Sequence, residues 1–165
     1  MEKFINKYEY TDDVITEAMT AYWSMKNGGH HGRDAIIISM FSVVAALLNQ
    51  WIFSAFFIVG LFVFIIISDY KRRKIIFNEI QRKKDFNPNE DLVIEVTVAA
   101  DIHLKSGETE RIASFEDIAD FVESKNLIVL LFKNDATLTL HKGNFVEGNA
   151  NDCLVYICDK IGKSA

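Results

Sequence analysis

The residues with the clearest chemical potential are two adjacent histidines, His30 and His31, which lie among three glycines. Imidazole is a common metal ligand, but no acidic or cysteine residue stands at a spacing that completes a metal site. We therefore interpret the pair as part of a flexible polar linker. The sequence contains no glycine-rich phosphate loop, nucleophile elbow or His-Glu metal helix. It predicts a protein that is not an enzyme, without catalytic residues, a metal or a cofactor.

A second group of residues whose chemistry could serve binding is the basic cluster Lys71, Arg72, Arg73 and Lys74. Near an anionic membrane leaflet each Lys or Arg contributes roughly 1 kcal/mol of attraction, so these four residues are candidates for contact with anionic lipid. We interpret the cluster first as a topology signal and a solvated collar, because basic residues accumulate on the cytoplasmic side of membrane segments.

The basic cluster follows an uncharged stretch of 34 residues, Ala35 to Ser68. One helix of that length would measure about 51 Å, which exceeds the roughly 30 Å hydrocarbon core of a bilayer. A strongly polar pair, Asn49-Gln50, lies near the centre of the stretch. We therefore expect two short membrane spans joined by a tight turn there. Lys and Arg flank the spans and are absent from the turn, so the positive-inside rule predicts that both termini lie in the cytoplasm.

Small residues recur along one face of the first span, in steps of four, three and four: Ala35, Ser39, Ser42 and Ala46. Small side chains let helices approach closely in lipid. We expect this face to pack against the second span near Ala55 and Gly60. The same face could serve a homo-oligomer, and the sequence leaves both arrangements open.

The segment before the spans predicts a strand between Lys3 and Tyr10, followed by a helix. Thr11-Asp12-Asp13 has the residue types of a helix start, and Asn27-Gly28-Gly29 those of a helix end. The apolar face of this helix has no partner within its own segment: Ile15, Ala18, Met19, Tyr22 and Met25. We expect it to pack as a lid on the domain that follows the spans, with the membrane surface as the alternative.

After the second span, Tyr70 to Lys84 should continue as a basic helix, and Asp85 to Asp91 should form a linker. Alternating apolar residues from Leu92 onward then predict antiparallel strands. Leu127 to Phe132 is apolar on both faces, which is typical of a central, covered strand. A helix from about Asn151 to Ile161, closed by Gly162, ends the chain. The predicted units are residues 1–33, the hairpin 34–70, the juxtamembrane segment 71–90 and the domain 91–165.

The predicted fold class is thus a membrane α-helical hairpin plus a small cytoplasmic α+β domain, an antiparallel sheet or partly open barrel with a C-terminal helix. This layout resembles that of bacterial YcxB-like membrane proteins. Ser114 to Ile118 is similar to the family's Ser-Trp-x-x-Ile stretch, with Phe115 in the position of Trp. Leu140 to Phe145 resembles its Pro-Lys-x-x-Phe stretch, with His141 in the position of Pro. The resemblance implies a pleckstrin-homology-like (PH-like) domain and brings no catalytic residues.

Charge narrows the class of partner. From Glu90 onward the chain has fourteen acidic and seven basic residues, a net charge of −7. Such a domain does not suit nucleic acid, because phosphate contacts need clustered Lys and Arg. We expect a non-enzymatic inner-membrane protein that contacts membrane lipids and presents a cytoplasmic domain to a protein partner or to a second copy of itself. The alternatives are an immunity or stress protein against a membrane-active toxin, and a lipid or small-ligand binding module.

Overall fold

The computed structural model describes residues 2–86 and 92–163, apart from the side chains of residues 29–32 and 86. In this part of the chain two long helices are inserted between the first and second strands. The strands are β1 (Phe4–Glu9), β2 (Val93–Val98), β3 (Ile102–Ser106), β4 (Thr109–Ala113), β5 (Ile118–Glu123), β6 (Leu127–Phe132), β7 (Thr137–His141) and β8 (Phe145–Glu147). The α-helices are α1 (Asp12–Leu47), α2 (Trp51–Phe86) and α3 (Ala150–Ile161), and a 3₁₀ turn lies at Phe115–Asp117.

Helices α1 and α2 form an antiparallel hairpin, each with 36 residues and a length of about 54 Å. The side chain of Thr11 caps α1 by accepting a hydrogen bond from the backbone of Val14, as the sequence predicted. The chain reverses between Leu47 and Trp51, where Asn49 adopts a φ of 60°. Asn is one of the few residues that tolerates this left-handed conformation, so the predicted turn at Asn49-Gln50 is confirmed.

The predicted end of the first helix at Asn27-Gly28-Gly29 is wrong. Helix α1 runs without a break through residues 27–34 and on to the turn. Glycine costs about 1 kcal/mol relative to alanine in a helix, but the helix is fixed on both sides of this segment, by β6 before it and by the Ser42–Ser54 contact with α2 after it. The flexible linker expected around His30-His31 is therefore a continuous helical stalk.

The tip of the hairpin is strongly apolar and exposed. Helix α2 is long and apolar enough to cross a membrane, and only 6% of its most apolar window is buried within the protein. Its segment Trp51 to Ser68 would span about 27 Å as a helix, close to the roughly 30 Å of a hydrocarbon core. Among the described residues α2 is the one helix that meets this criterion, so a second membrane span in α1 stays a prediction.

The strands form two antiparallel sheets, in the orders β4-β3-β2-β1-β8 and β5-β6-β7. Strand β1 pairs with β2 along six positions, from Phe4 opposite Val98 to Glu9 opposite Val93, and with β8 on its other side. The strand predicted between Lys3 and Tyr10 is thus present, and it is an interior strand of its sheet. Strand β8 was not anticipated, because three residues are too few for a periodic pattern to be seen.

Strand β6 is central in its sheet and buried along nearly its whole length, which confirms the prediction from its doubly apolar sequence. One face meets the inner core between the sheets, where Ile128 and Leu130 are buried. The C-terminal helix α3 adds Cys153, Leu154 and Ile157 to the same core, and its αL cap at Gly162 is as predicted.

The other face of β6 is covered by α1. Ile15, Ala18 and Met19 are buried against Leu127 and Val129, so the predicted packing of the N-terminal helix on the domain is confirmed. Polar contacts fix its position as well. The Glu17 carboxylate accepts hydrogen bonds from the Ser124 hydroxyl at 2.6 Å and from the Asn126 backbone at 2.7 Å. The hairpin and the strands therefore share one core.

Candidate functional site

The two sheets are joined at one corner by side chains of β1. Asn6, which is 1% exposed, donates from Nδ2 to the carbonyl of His141 at 2.8 Å and accepts from the His141 N–H at 2.9 Å. The Tyr8 hydroxyl donates to the carbonyl of Thr139 at 2.9 Å. Burial raises the pKa of Tyr8, and its hydrogen bond to Thr139 opposes this only in part. These contacts close the domain along the second half of β7.

Beyond this corner the sheets diverge and leave a cleft between β7 and the β3–β4 hairpin. It comprises two adjoining cavities of about 290 Å³ and 380 Å³, which share Leu104, Arg111, Thr137 and Leu138 as lining residues. Ile102 and Phe132 line its deeper part. The hydroxyl-bearing residues Ser106, Thr109 and Thr137 line the other cavity and are more exposed than Ile102 and Phe132. The cleft therefore combines an apolar floor with a polar mouth, as ligand sites commonly do.

Helix α2 forms one wall of the cleft through Glu79, Arg82 and Lys83. Both cations of this wall are paired with carboxylates. Arg82 lies 3.2 Å from the carboxylate of Glu79, and Lys83 lies 3.4 Å from that of Asp12. Burial, together with the nearby Glu79 carboxylate, raises the pKa of Tyr10 to about 12. Tyr10 is therefore a neutral hydroxyl at physiological pH, and this wall carries little net charge.

Arg111 stands out among the lining residues because of the face on which it lies. The register of β3 with β4 places Arg111 opposite Leu104, and Ala113 opposite Ile102. Residues opposite each other in an antiparallel pair share a face, so Arg111 is on the inner face, together with buried Ile102. Among the described residues no ion pair or hydrogen bond engages its guanidinium. Because β4 is an edge strand, Arg111 is exposed to solvent while it also lines the cleft. This unpaired cation is the lining residue with most capacity to bind a negatively charged ligand.

Sequence reasoning did not find this cleft. The pattern Thr109-Glu110-Arg111-Ile112-Ala113 has an apolar residue on each face, so it does not reveal which face is inward. The strand pairing decides the matter, since it places Ile112 outward, where it is 65% exposed. The residue types of this strand therefore carry no signal that identifies Arg111 as a lining residue.

The four predicted lipid-contact residues lie on α2 between its apolar segment and the β domain. Lys71, Arg73 and Lys74 are exposed, whereas Arg72 is half-buried. Arg72 and Arg73 are both paired with the carboxylate of Asp69, one turn earlier on the same helix. Two of the four cations are thus partly neutralised, which leaves Lys71 and Lys74 as the free charges of the cluster among the described side chains.

The predicted small face of the first span is partly at the helix interface. Ser42 contacts the buried Ser54, with its hydroxyl 3.2 Å from that of Ser54. Ala46 is half-buried, and Ala35 lines a cavity of about 520 Å³ between the helices, together with Phe64 and Ile65. Two assignments need correction, because Ser39 is exposed and hydrogen-bonds within its own helix, and Gly60 is exposed with nothing within 4 Å of a Cβ added there.

We expect Ser42→Leu to separate the two helices near the tip. The branched side chain cannot fit beside Ser54, and overpacking of this kind costs about 1–3 kcal/mol. Thermal unfolding in detergent should therefore occur at a lower temperature than for the native chain. Val44→Leu is the matched control, because Val44 is 50% exposed and substitutions at exposed positions usually change stability little. Equal melting of the two variants would contradict the contact.

Comparisons with known proteins do not assign the chain to a family. No family model matches the sequence, no curated protein matches it, and no solved structure matches the fold.

Proposed function

We propose that this protein is a non-enzymatic membrane protein that holds a cytoplasmic protein-interaction domain at a bacterial inner membrane. One observation supports this above the others: the exposed apolar tip of the hairpin is continuous, through unbroken helices, with stalks that are buried against β6. An anchor connected by a flexible linker would leave the domain free to tumble. Here the anchor and the domain share one core, so the domain is held in a fixed orientation at the membrane surface.

In this proposal both helices of the hairpin enter the bilayer and both termini are cytoplasmic. The basic residues on α2 follow its apolar segment directly, whereas the turn at Asn49-Gln50 has no charge. Lys and Arg are retained on the cytoplasmic side, so the turn should face the periplasm. The ring of Trp51, whose Nε1 donates to the side chain of Asn49 at 2.8 Å, is suited to the far interface.

A labelling experiment in intact cells tests this topology. A cysteine at Asn49 should react with a membrane-impermeant thiol reagent, and a cysteine at Ser164 should not. Cys153 and Cys158 are replaced by Ala as a precaution, although both are buried and burial raises the pKa of the Cys153 thiol to about 12. Labelling at Ser164 without labelling at Asn49 would contradict the proposal, and labelling at neither would place the tip inside the bilayer.

A second candidate function, a lipid or small-ligand binding module, is favoured by the cleft between the sheets. Its apolar floor and its mouth with Arg111 could hold a small amphiphile with one negative charge. The balance of charge on its walls argues against polyanionic headgroups, because Arg82 and Lys83 are already paired with carboxylates.

We also propose that the chain belongs with the YcxB-like proteins that it resembles. The order of elements is what supports the assignment: a four-strand meander interrupted by the hairpin, a three-strand sheet and a final helix that packs between them.

A further inference from the structure

We infer that the groove beside β4 accepts an extended peptide segment of a partner protein as an added strand. This inference rests on the proposed function as an interaction domain and names the surface and the kind of partner. The segment would pair with the backbone of β4 and place an acidic side chain against Arg111. Its sequence would have the pattern apolar-x-acidic-x-apolar, with the apolar residues facing the cleft.

The backbone of β4 is the first ground for this inference. Within the part of the chain that the structure describes, its N–H and C=O groups make no hydrogen bonds except those to β3. The other edge strands of the two sheets are protected against pairing with a further strand. Lys163 donates to the Ala119 carbonyl of β5 at 2.8 Å, β7 is bonded by side chains of β1, and β8 has only three residues. An unprotected edge is a template for a further strand.

The second ground is the shape of the cleft at this edge. An added strand that continues the sheet has its inward side chains opposite Thr109, Arg111 and Ala113. Thr109 and Ala113 are small, so the two flanking side chains of the peptide have room to reach Leu104, Leu138 and Phe132. The middle position lies opposite Arg111. A carboxylate there would form an ion pair with the guanidinium group, which has no ion-pair partner among the described residues. Opposite charges across a strand pair are favourable.

A second copy of this chain fits the same edge poorly. Two β4 strands related by a two-fold axis pair along their full length only when Arg111 lies opposite Arg111. Like charges directly opposite each other are destabilising. A register centred on Ile112 avoids this clash but pairs only the last three residues of the strand. The edge is therefore better matched to an acidic peptide than to itself.

The test uses the full chain in nanodiscs of phosphatidylcholine and a display library of random twelve-residue peptides. We expect enriched peptides to share the pattern apolar-x-acidic-x-apolar and to slow amide hydrogen exchange at residues 109–113. Arg111→Glu should weaken their binding about ten-fold, since attraction becomes repulsion. The same variant should bind peptides in which Lys replaces the acidic residue. Lys125→Glu is the matched control, because it makes the same charge change at an exposed turn outside the cleft.

Several outcomes would overturn the inference. Enriched peptides that protect other amides, or that bind Arg111→Glu unchanged, would exclude the groove while the interaction domain stands. If Ile112→Cys rapidly formed disulfide-linked dimers that no longer bound peptide, the edge of β4 would be a contact between two copies of the chain. Failure to enrich any peptide, with binding only to phosphatidylglycerol vesicles, would overturn both this inference and the proposed function. The melting temperature of each variant shows whether its fold is intact.

Discussion

The fragment Asn89–Ala165 is expected to aggregate or to melt without a cooperative transition when it is expressed alone. It lacks β1, which lies between β2 and β8 and supplies the buried residues Phe4, Asn6 and Tyr8. It also lacks α1, so Leu127 and Val129 would face water. Burial of each large apolar side chain is worth about 1.5–3 kcal/mol, and several are lost at once. The total is comparable with the 5–15 kcal/mol by which a domain is usually stable.

A chain with a shortened hairpin provides the sharpest control. Gly28 of α1 and Asp69 of α2 line the same cavity between the helices, so a short glycine-rich turn can join the two stalks at this level. Replacement of residues 30–68 by such a turn removes the apolar tip and keeps β1, the lid residues of α1, and Ile75, Ile76 and Ile80 of α2. We expect this variant to be soluble and to unfold cooperatively.

Fusion of Met1–Asn27 to Asn89–Ala165 through a flexible linker is an intermediate case. Helix α1 rises about 24 Å between Asp12 and Asn27, so a glycine-serine linker of about 20 residues is needed for the return. This chain restores β1 and most of the lid but not α2, and its melting temperature should lie below that of the shortened hairpin. If the fragment Asn89–Ala165 were monomeric and melted as sharply as the shortened hairpin or the fusion, the domain would not depend on a core shared with the N-terminal segment.

The sequence predicted those features that depend on local pattern. The cap at Thr11, the turn at Asn49 and the αL residue Gly162 each have a local physical cause, and all are present. The doubly apolar segment Leu127–Phe132 likewise indicated its central position, because a strand can bury both faces only when it is covered on each side.

The features that were missed depend on partners distant in the sequence. Helix α1 continues through Gly28 because β6 and α2 fix the segments before and after it, which no local preference of glycine reveals. The interior place of β1 follows from its pairing with β8, almost the whole chain away. The inward face of Arg111 follows from the register with β3, since a shift of one residue would turn it outward. The candidate site could not be seen in the sequence for the same reason, since its walls come from α2, β1, β2, β3, β4 and β7.

Asn6→Ala is expected to destabilise the β domain by about 2–5 kcal/mol. The Asn6 amide satisfies both the N–H and the carbonyl of His141, at 2.9 Å and 2.8 Å. Asn6 is 1% exposed, and its removal leaves two backbone groups of the half-buried His141 without partners. Each unsatisfied buried group costs about 1–3 kcal/mol. Urea unfolding of the full chain in detergent, followed by circular dichroism, measures the loss. Exposed Lys125→Ala is the control and should change little.

Asn6→Asp separates the hydrogen bonds from simple packing, because the two side chains have nearly the same shape. An ionised Asp can accept from the His141 N–H but cannot donate to its carbonyl, and burial opposes its charge. Its folded pKa should therefore be raised above the unfolded value of about 3.9. Stability is then highest below pH 4, where the protonated acid donates as the amide does, and falls as the pH rises through the folded pKa. Relative to the native chain at each pH, Asn6→Asp should recover on acidification and Asn6→Ala should not. If both variants showed the same deficit at every pH, the two bonds to His141 would not be what joins the sheets.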